Sequence, residues 1–422
     1  MKIQICNTLA LFGIVLCQTG RVSSATWVNL NSGITKNLYG VQFLDANNGF
    51  VCGDSGAVLK TANGGSSWTA INIPTTFPVR QISFVNSTTG YAAVGDPSNY
   101  TSSGGIFSTT NGGVTWTSLS WMASPFANLS VQFFNSTTGY VGSTHYTSGT
   151  GTDCYFTSNS GASWTPNPSS IDWNWIYDMS WQNVNQGWMV GNNQTNGSIF
   201  YTNNAGGSWS TQNSTSTFYY GIDFPNSNVG FVSGAGGIIL ASTNGGTSWA
   251  NQISGTTQQL NGISFGNVAT GWAAGNAGTI VMTMNGGTNW GAEVSGTTVN
   301  LNAITALDSL TAWAVGNGGV IIKRELSNGI SEKGSDTRFS LYPNPMTDFT
   351  SVFFSKSNSI PIINVFDVQG KSVIAEFGIE IKAAGENIEI KLARNQMPEG
   401  IYFLQVWDEN HLLGVKKLLI SK

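Results

Sequence analysis

The residues able to do chemistry in this sequence are few and scattered. Over residues 26–325 the ionisable candidates with reactive potential are Arg80, Asp96, His145, Asp153, Asp172 and Asp178, with Asp54 and Lys36 at comparable points. Trp173, Trp175, Tyr177, Trp181 and Tyr220 stand beside them in sequence or repeat position. Two carboxylates such as Asp172 and Asp178 suit acid–base cleavage of a glycosidic bond when they flank it. Aromatic rings beside a few carboxylates and amide-rich loops suit the binding of a sugar or peptide, which stacks on the rings while polar groups orient it. A single histidine with no nucleophilic serine nearby does not build a triad. Neither an Asp-rich calcium loop nor a Cys/His cluster with metal spacing occurs, and the glycines punctuate turns instead of cradling phosphate. No metal, no cofactor and no catalytic residue is therefore assigned, and the enzyme reading stays open behind the binding one.

What positions these residues is a repeat. The octapeptide "TANGGSSW" at 61–68 recurs as "TTNGGVTW" (109–116), "TSNSGASW" (157–164), "TNNAGGSW" (202–209), "STNGGTSW" (242–249) and "TMNGGTNW" (283–290). Each copy follows a Gly-aromatic pair: Gly49-Phe50, Gly90-Tyr91, Gly139-Tyr140, Gly187-Trp188, Gly230-Phe231 and Gly271-Trp272. Each pair follows an alternating apolar triplet such as "VQF" at 41–43 or "IDF" at 222–224. Alternation with punctuating glycines reads as four short strands per unit, and a period above 40 residues signals a propeller or solenoid. A seventh triplet, "AIT" at 303–305, has no octapeptide after it, whereas "TWVNLNSGITKNLYGV" at 26–41 matches "SWANQISGTTQQLNGI" at 248–263. The N-terminus is therefore expected to supply the outer strand of the last unit. The fold class is all-β: a seven-bladed β-propeller closed by the N-terminal strand, without an exposed sheet edge. The octapeptide is then a fastener, with Asn bonding its own turn, glycines supplying positive φ and Trp packing between blades.

On this layout Asp54, Asp96, His145 and Asp153 fall in the connections between second and third strands. Lys36, Arg80, Asp172, Trp173, Tyr177 and Asp178 fall at the entrance to first strands, with Tyr39 and Tyr220 equivalent to Tyr177. All belong to the face opposite the octapeptides. A ligand groove is expected there at blades two to four.

The octapeptide resembles the Asp-box hairpin of sialidase-like propellers, where it is structural and lies away from the catalytic centre. Together with "GxxGxI" and the Gly-aromatic pair, it resembles the photosystem II assembly and stability factor family across roughly residues 26–324. That resemblance implies a fold and leaves the photosynthetic role behind. Members bind a maturing membrane protein partly through a basic patch, and this span has only Lys36, Lys60, Arg80, Lys323 and Arg324. Sialidases grip their substrate's carboxylate with three arginines, and Arg80 stands nearly alone.

Both ends carry addresses. Residues 1–25, with Lys2, an apolar stretch over 8–17 and small residues before Thr26, read as a secretory signal peptide cleaved between Ala25 and Thr26. No other run is long enough to cross a bilayer. Of the remaining cysteines, Cys52 and Cys154 fall in different repeats and are expected to be two separate buried thiols. A net charge of −4 without clustered Lys or Arg excludes nucleic acid as a partner. Residues 326–337 read as a polar linker, and charge density then jumps: 15 charged residues in 26–325 against 21 in 326–422. Residues 338–422 are expected to form a β-sandwich of about seven strands. Its motifs, Pro343-Asn344-Pro345, Gly370, Gly400 with Tyr402, and Lys416-Lys417, resemble the type A C-terminal sorting domain of the type IX secretion system. The resemblance implies that machinery as a partner, with export to the surface or exterior of a Gram-negative bacterium. The function expected is therefore a binding or scaffold propeller for an extracellular glycan, peptide or surface protein. An exported glycoside hydrolase or an assembly factor are the alternatives.

Overall fold

The computed structural model describes residues 26–97, 104–119, 127–144, 154–166, 175–193, 195–325, 339–354, 362–366, 373–384, 387–395, 397–408 and 411–421. It divides into two units, residues 25–326 and a C-terminal unit. Among the described residues there is no α-helix, and no helix long and apolar enough to cross a membrane.

Residues 26–325 form seven four-stranded antiparallel sheets. In the first, the strands Leu38–Phe43, Gly49–Gly53, Val58–Thr61 and Thr69–Ala70 pair in sequence order. Sheets two to six repeat this order over residues 79–118, 128–166, 175–215, 219–252 and 260–293. The seventh takes Leu301–Ala306, Ala312–Gly316 and Ile321–Glu325 from one end of the unit and Thr26–Leu30 from the other. Thr26 pairs with Glu325 and Leu30 with Ile321. The first strand of each sheet packs on the first strand of the next, and Leu301–Ala306 packs on Leu38–Phe43.

Aromatic rings join the sheets. Except in Gly271-Trp272, the ring of each Gly-aromatic pair stacks on a ring at the end of the first strand of the following sheet: Phe50 on Phe84 at 3.5 Å, Tyr91 on Phe133 at 3.4 Å, Tyr140 on Trp181 at 3.7 Å. Trp188 on Phe224, Phe231 on Phe265 and Trp313 on Phe43 continue the series. The octapeptide Trp closes each stack edge-on, as Trp249 does against Phe224 at 5.8 Å. These stacks explain the glycine of the pair, because the ring lies flat on it. A Cβ at Gly49, Gly90, Gly139, Gly187, Gly230 or Gly271 would sit 2.2–2.5 Å from that ring. In the seventh sheet the ring position is Ala306, and the glycine is duly replaced by Ala312. Gly230→Ala should therefore cost about 1–3 kcal/mol through overpacking. Ala312→Gly should cost less than about 1 kcal/mol. Equal losses in chemical denaturation would refute this account of the glycine.

The octapeptide is a self-contained fastener. In the first copy Thr61 Oγ1 accepts from Gly65 N at 2.9 Å and donates to Asn63 Oδ1, which accepts from Ser67 N at 2.9 Å. Gly64 and Gly65 take φ of +70° and +96°. The same bonds recur around Asn111, Asn159, Asn204, Asn244 and Asn285. Cys52 and Cys154 are buried thiols that are not joined in a disulfide, as expected.

The C-terminal unit has a four-stranded sheet, ordered Phe339–Tyr342, Phe349–Phe354, Asn387–Ala393 and Gly378–Ala384, and a three-stranded sheet of Ile362–Phe366, Gly400–Asp408 and His411–Ile420. Both contribute to one core containing Val352, Ile390, Leu392, Val365, Leu404 and Leu418. Asn344 stitches the sheets together. Its Nδ2 donates to Lys417 O at 2.6 Å and its Oδ1 accepts from Leu419 N at 2.9 Å. Pro343 O accepts from Thr350 Oγ1, and Tyr402 Oη donates to Pro398 O. Pro345 follows Asn344 through a cis peptide bond, and Gly400 opens the strand that carries Tyr402. Lys416 Nζ lies 5.1 Å from the Phe339 ring centre, and Lys417 is its neighbour on the last strand. Gly370, the linker and residues 1–25 with Ala25 lie outside the described residues. Thr26 is the first residue of the outer strand of sheet seven.

Candidate functional site

A β-bulge recurs at one point of every first strand. The register of first against second strand shifts between Leu38 and Gly40, Val79 and Gln81, Asn128 and Ser130, Ile176 and Asp178, Tyr219 and Gly221, Leu260 and Gly262, and Leu301 and Ala303. The seven bulged residues are Tyr39, Arg80, Leu129, Tyr177, Tyr220, Asn261 and Asn302. A bulge re-aims its side chain out of the pleat. Here it presents seven equivalent side chains at the strand end reached by the connections between second and third strands. Antiparallel pairing puts those connections on the side opposite the octapeptides.

Leu129 of sheet three is buried, and the other six positions fall into two groups. In sheets six and seven they are closed by amide bonds. Asn261 Nδ2 donates to Leu301 O at 2.8 Å and to Asn276 Oδ1, and Asn302 Nδ2 donates to Leu38 O at 2.8 Å and to Asn317 Oδ1. Across sheets one, two, four and five the positions hold rings and a guanidinium. Arg80 Cζ lies 4.4 Å from the Tyr39 ring centre, Nε donates to Gly95 O at 3.0 Å, and Nη2 sits 3.7 Å from Asp96. Tyr177 meets Tyr220 edge-on at 5.3 Å and Trp175 at 6.3 Å. Tyr39, Tyr177 and Tyr220 are partly exposed. Burial holds all three phenols above their ordinary range, and for Tyr39 the hydrogen bond to Asp54 adds to it. They are neutral donors at physiological pH. Arg80 lowers the Tyr177 phenol electrostatically, an effect that burial and the neighbouring Tyr220 outweigh.

Below this rim, first-strand side chains hydrogen-bond the backbone of the following sheet. Gln42 Oε1 accepts from Phe84 N, Ser83 Oγ from Phe133 N, Gln132 Oε1 from Trp181 N and Ser180 Oγ from Phe224 N. Asp223 Oδ2 then accepts from Phe265 N at 2.6 Å and Ser264 Oγ from Ala306 N. Two residues earlier, Gln81 Oε1 accepts from Val131 N at 2.6 Å, while its Nε2 reaches past sheet three to Asp178 Oδ1 at 3.2 Å. Asp178 also accepts from Met179 N at 2.9 Å and Ile222 N at 3.0 Å. Burial raises the Asp178 carboxyl to about 6 and the Asp223 carboxyl to about 7, the latter with help from Asp178's charge.

The chain therefore gathers Arg80, Asp96, Tyr177, Asp178 and Tyr220, and adds Tyr39, Asp54, Gln81 and Asp223. His145, Asp153, Asp172 and Trp173 lie outside the described residues. Asp178 sits inside the lumen with both carboxylate oxygens engaged, and the same tier explains Trp181, which is core. Asp223 was hidden in an alternating "IDF" triplet, where the middle residue faces the lumen. The bulge has no signature in a single repeat, but it puts chemically dissimilar residues at one aligned column. Among the described residues no group of His, Cys, Asp or Glu could hold a metal ion.

Comparison with known proteins agrees with both halves of this architecture. Residues 19–167 match the family described as photosynthesis system II assembly factor YCF48, and residues 340–421 match the secretion system C-terminal sorting domain. The chain is similar to "YCF48 bound to D1 peptide" (17% identity, TM-score 0.58, 72% of this chain and 99% of that one). It is similar to YCF48 from Cyanidioschyzon merolae (19%, 0.59, 72% and 100%). It also resembles the GH74 xyloglucanase of Xanthomonas campestris (12%, 0.57), covering 79% of this chain and 60% of that one. At such identities the likeness is one of fold: an all-β propeller. A search of curated proteins finds no match. The sorting domain implies export from a Gram-negative bacterium to its surface or beyond, and an interaction with the secretion machinery.

Proposed function

We propose that the chain is an exported recognition propeller that binds an extracellular glycan or peptide at the bulge-lined rim of its lumen. The seven sheets are read as blades of one ring closed by Thr26–Leu30, and the C-terminal unit as an immunoglobulin-like sandwich that serves as the passport. Residues 1–25 are the signal peptide. Pro343, Asn344, Pro345, Gly370, Gly400, Tyr402, Lys416 and Lys417 belong to the sorting signal, in which Asn344 acts mainly by holding the two sheets together.

One observation carries the reading. The bulged column is satisfied by amides in sheets six and seven, yet holds Tyr39, Arg80, Tyr177 and Tyr220 in sheets one, two, four and five. Partly exposed rings with neutral phenols supply stacking faces and hydrogen-bond donors, and the Arg80 guanidinium, held on Tyr39 and Gly95, supplies positive charge beside them. A solved propeller of similar fold is titled as bound to a peptide, which supports a chain-like ligand for this one. The hydrolase alternative has weaker support. Asp178 and Asp223 are committed to backbone N–H groups, and a glycosidase needs one carboxyl free for the leaving oxygen and one for water or the anomeric carbon.

Glycan and peptide arrays probed with residues 26–422 test the proposal. Binding should fall at least about tenfold in an Arg80→Ala/Tyr177→Ala variant that melts like the parent, the scale expected when anchoring rings and Arg are truncated. Equal binding by parent and variant would overturn the assignment of the rim.

A further inference from the structure

The four-stranded sheet of the C-terminal unit ends in a strand that is only half used. Gly378–Ala384 pairs on one side with Asn387–Ala393, and no other described strand pairs with it. Ile379 and Ile381 stand opposite Leu392 and Ile390, and so point to the core face of the sheet. Leu392 and Ile390 are buried, whereas Ile379 and Ile381 remain 50% and 47% exposed. The three-stranded sheet does not cover them. On the other face Glu380 and Lys382 alternate with the isoleucines, both widely exposed and 3.5 Å apart.

An unpaired strand with exposed apolar side chains invites addition of another strand. The sequence here says which one. The run Ile379-Glu380-Ile381-Lys382-Ala383 is complementary to itself when turned about Ile381. Antiparallel pairing centred there puts Ile381 opposite Ile381 of the partner subunit, and Ile379 opposite Ala383 of the partner subunit. Glu380 then faces Lys382 of the partner subunit, twice by symmetry. A two-fold axis of this kind keeps all the isoleucines on one face and all the charges on the other, the self-complementary geometry of an isologous interface. A lone edge guarded against aggregation needs only like charges or prolines, and a foreign strand imposes no mirror symmetry on its acceptor.

We propose that two copies of the chain associate through Gly378–Ala384, joining their sheets into one antiparallel sheet of eight strands. Opposite charges facing each other across strands stabilise the pair, and like charges there destabilise it.

Sedimentation velocity on residues 26–422, from micromolar to submillimolar concentration, tests this. The parent should be a dimer at the upper end. Glu380→Lys and Lys382→Glu should each raise the dimer dissociation constant at least about tenfold, because each reversal sets two like-charged pairs face to face. Glu380→Lys/Lys382→Glu should restore it. Each reversal also sets a like charge against Lys391 or Glu389 within its own sheet, so melting is measured alongside, and Glu380→Gln/Lys382→Gln, which removes the charges without reversing them, should weaken the dimer while melting close to the parent. A parent that stays monomeric, a dimer indifferent to either reversal, or a double variant that fails to recover would each overturn the proposal.

Discussion

Arg324→Ala should lower the stability of the propeller unit by about 3–5 kcal/mol, the largest effect expected of a single substitution outside the apolar core. The reason lies at the seam between sheets six and seven, where the repeat is broken. Ala306 removes the ring on which Trp272 would stack, and the outer strand comes from the other end of the chain. Arg324 fills the gap. Its guanidinium lies 5.1 Å from the Trp272 ring centre, bonds both oxygens of Glu293 at 3.0–3.2 Å, and donates to Leu310 O. Glu293 Oε2 also accepts from Trp27 at 2.8 Å and Trp272 at 3.2 Å. The Arg324 side chain is 7% exposed, so removing it leaves the largely buried Glu293 carboxylate without its countercharge, with only the two indole N–H donors to hold it. Arg324→Met with Glu293→Gln should recover part of the loss, since it removes both charges and keeps most of the volume. Chemical denaturation reads both, and an Arg324→Ala loss below about 1 kcal/mol, the range of an exposed pair, would show the seam to be held otherwise.

The second large effect is a pH dependence. The Asp178 and Asp223 carboxyls are held by burial at about 6 and about 7, above the ordinary aspartate range. The folded protein therefore binds these protons more tightly than the unfolded chain does. Their contribution makes the fold more stable as pH falls from above 7 toward 4, and the gain ends where the unfolded carboxyls protonate too. Neutral Gln42, Ser83, Gln132, Ser180 and Ser264 make the same type of bond elsewhere, so asparagine can accept it as well. An Asp223→Asn variant, which keeps an oxygen for the Phe265 N–H, should be more stable than the parent at pH 8 by about 3–4 kcal/mol, with the difference vanishing near pH 4. Asp45, whose carboxyl is lowered by bonds from Asn48 and Asn47, contributes with the opposite sign in both proteins and cancels in the comparison. A variant–parent difference that does not change with pH would contradict the assignment.

Much of the fold was legible because one unit is written repeatedly. The octapeptide, the Gly-aromatic pair and the apolar triplet each mark a strand boundary, and the match of 26–41 to 248–263 identified Thr26–Leu30 as a partner for Ile321–Glu325. The physical reason for the pair's glycine was not legible, since it depends on a ring six residues earlier folding back over it. The threonine two places before the octapeptide's Asn also escaped notice, although its hydroxyl bonds the turn as firmly as the Asn does. The rim was half legible. Sparse charges pointed to the side of the sheets where the bulges lie, but single-repeat reading cannot see a bulge, nor that both Asp178 oxygens accept from neighbouring N–H groups. Only the register shift shows that Tyr177 turns toward the rim while the next residue turns into the lumen. Asp223 was missed because an aspartate inside an apolar triplet reads as a solvated strand residue.

The most direct test of the account compares opposite sides of the sheets with one ligand drawn from the arrays. The dissociation constant is measured by titration calorimetry for the parent, Tyr220→Ala at the rim and Thr247→Ala in an exposed octapeptide. Tyr220→Ala should weaken binding at least about tenfold while Thr247→Ala stays within about twofold. A ligand lost with Thr247 and kept without Tyr220 would place the work of the protein on the repeat itself and contradict the account.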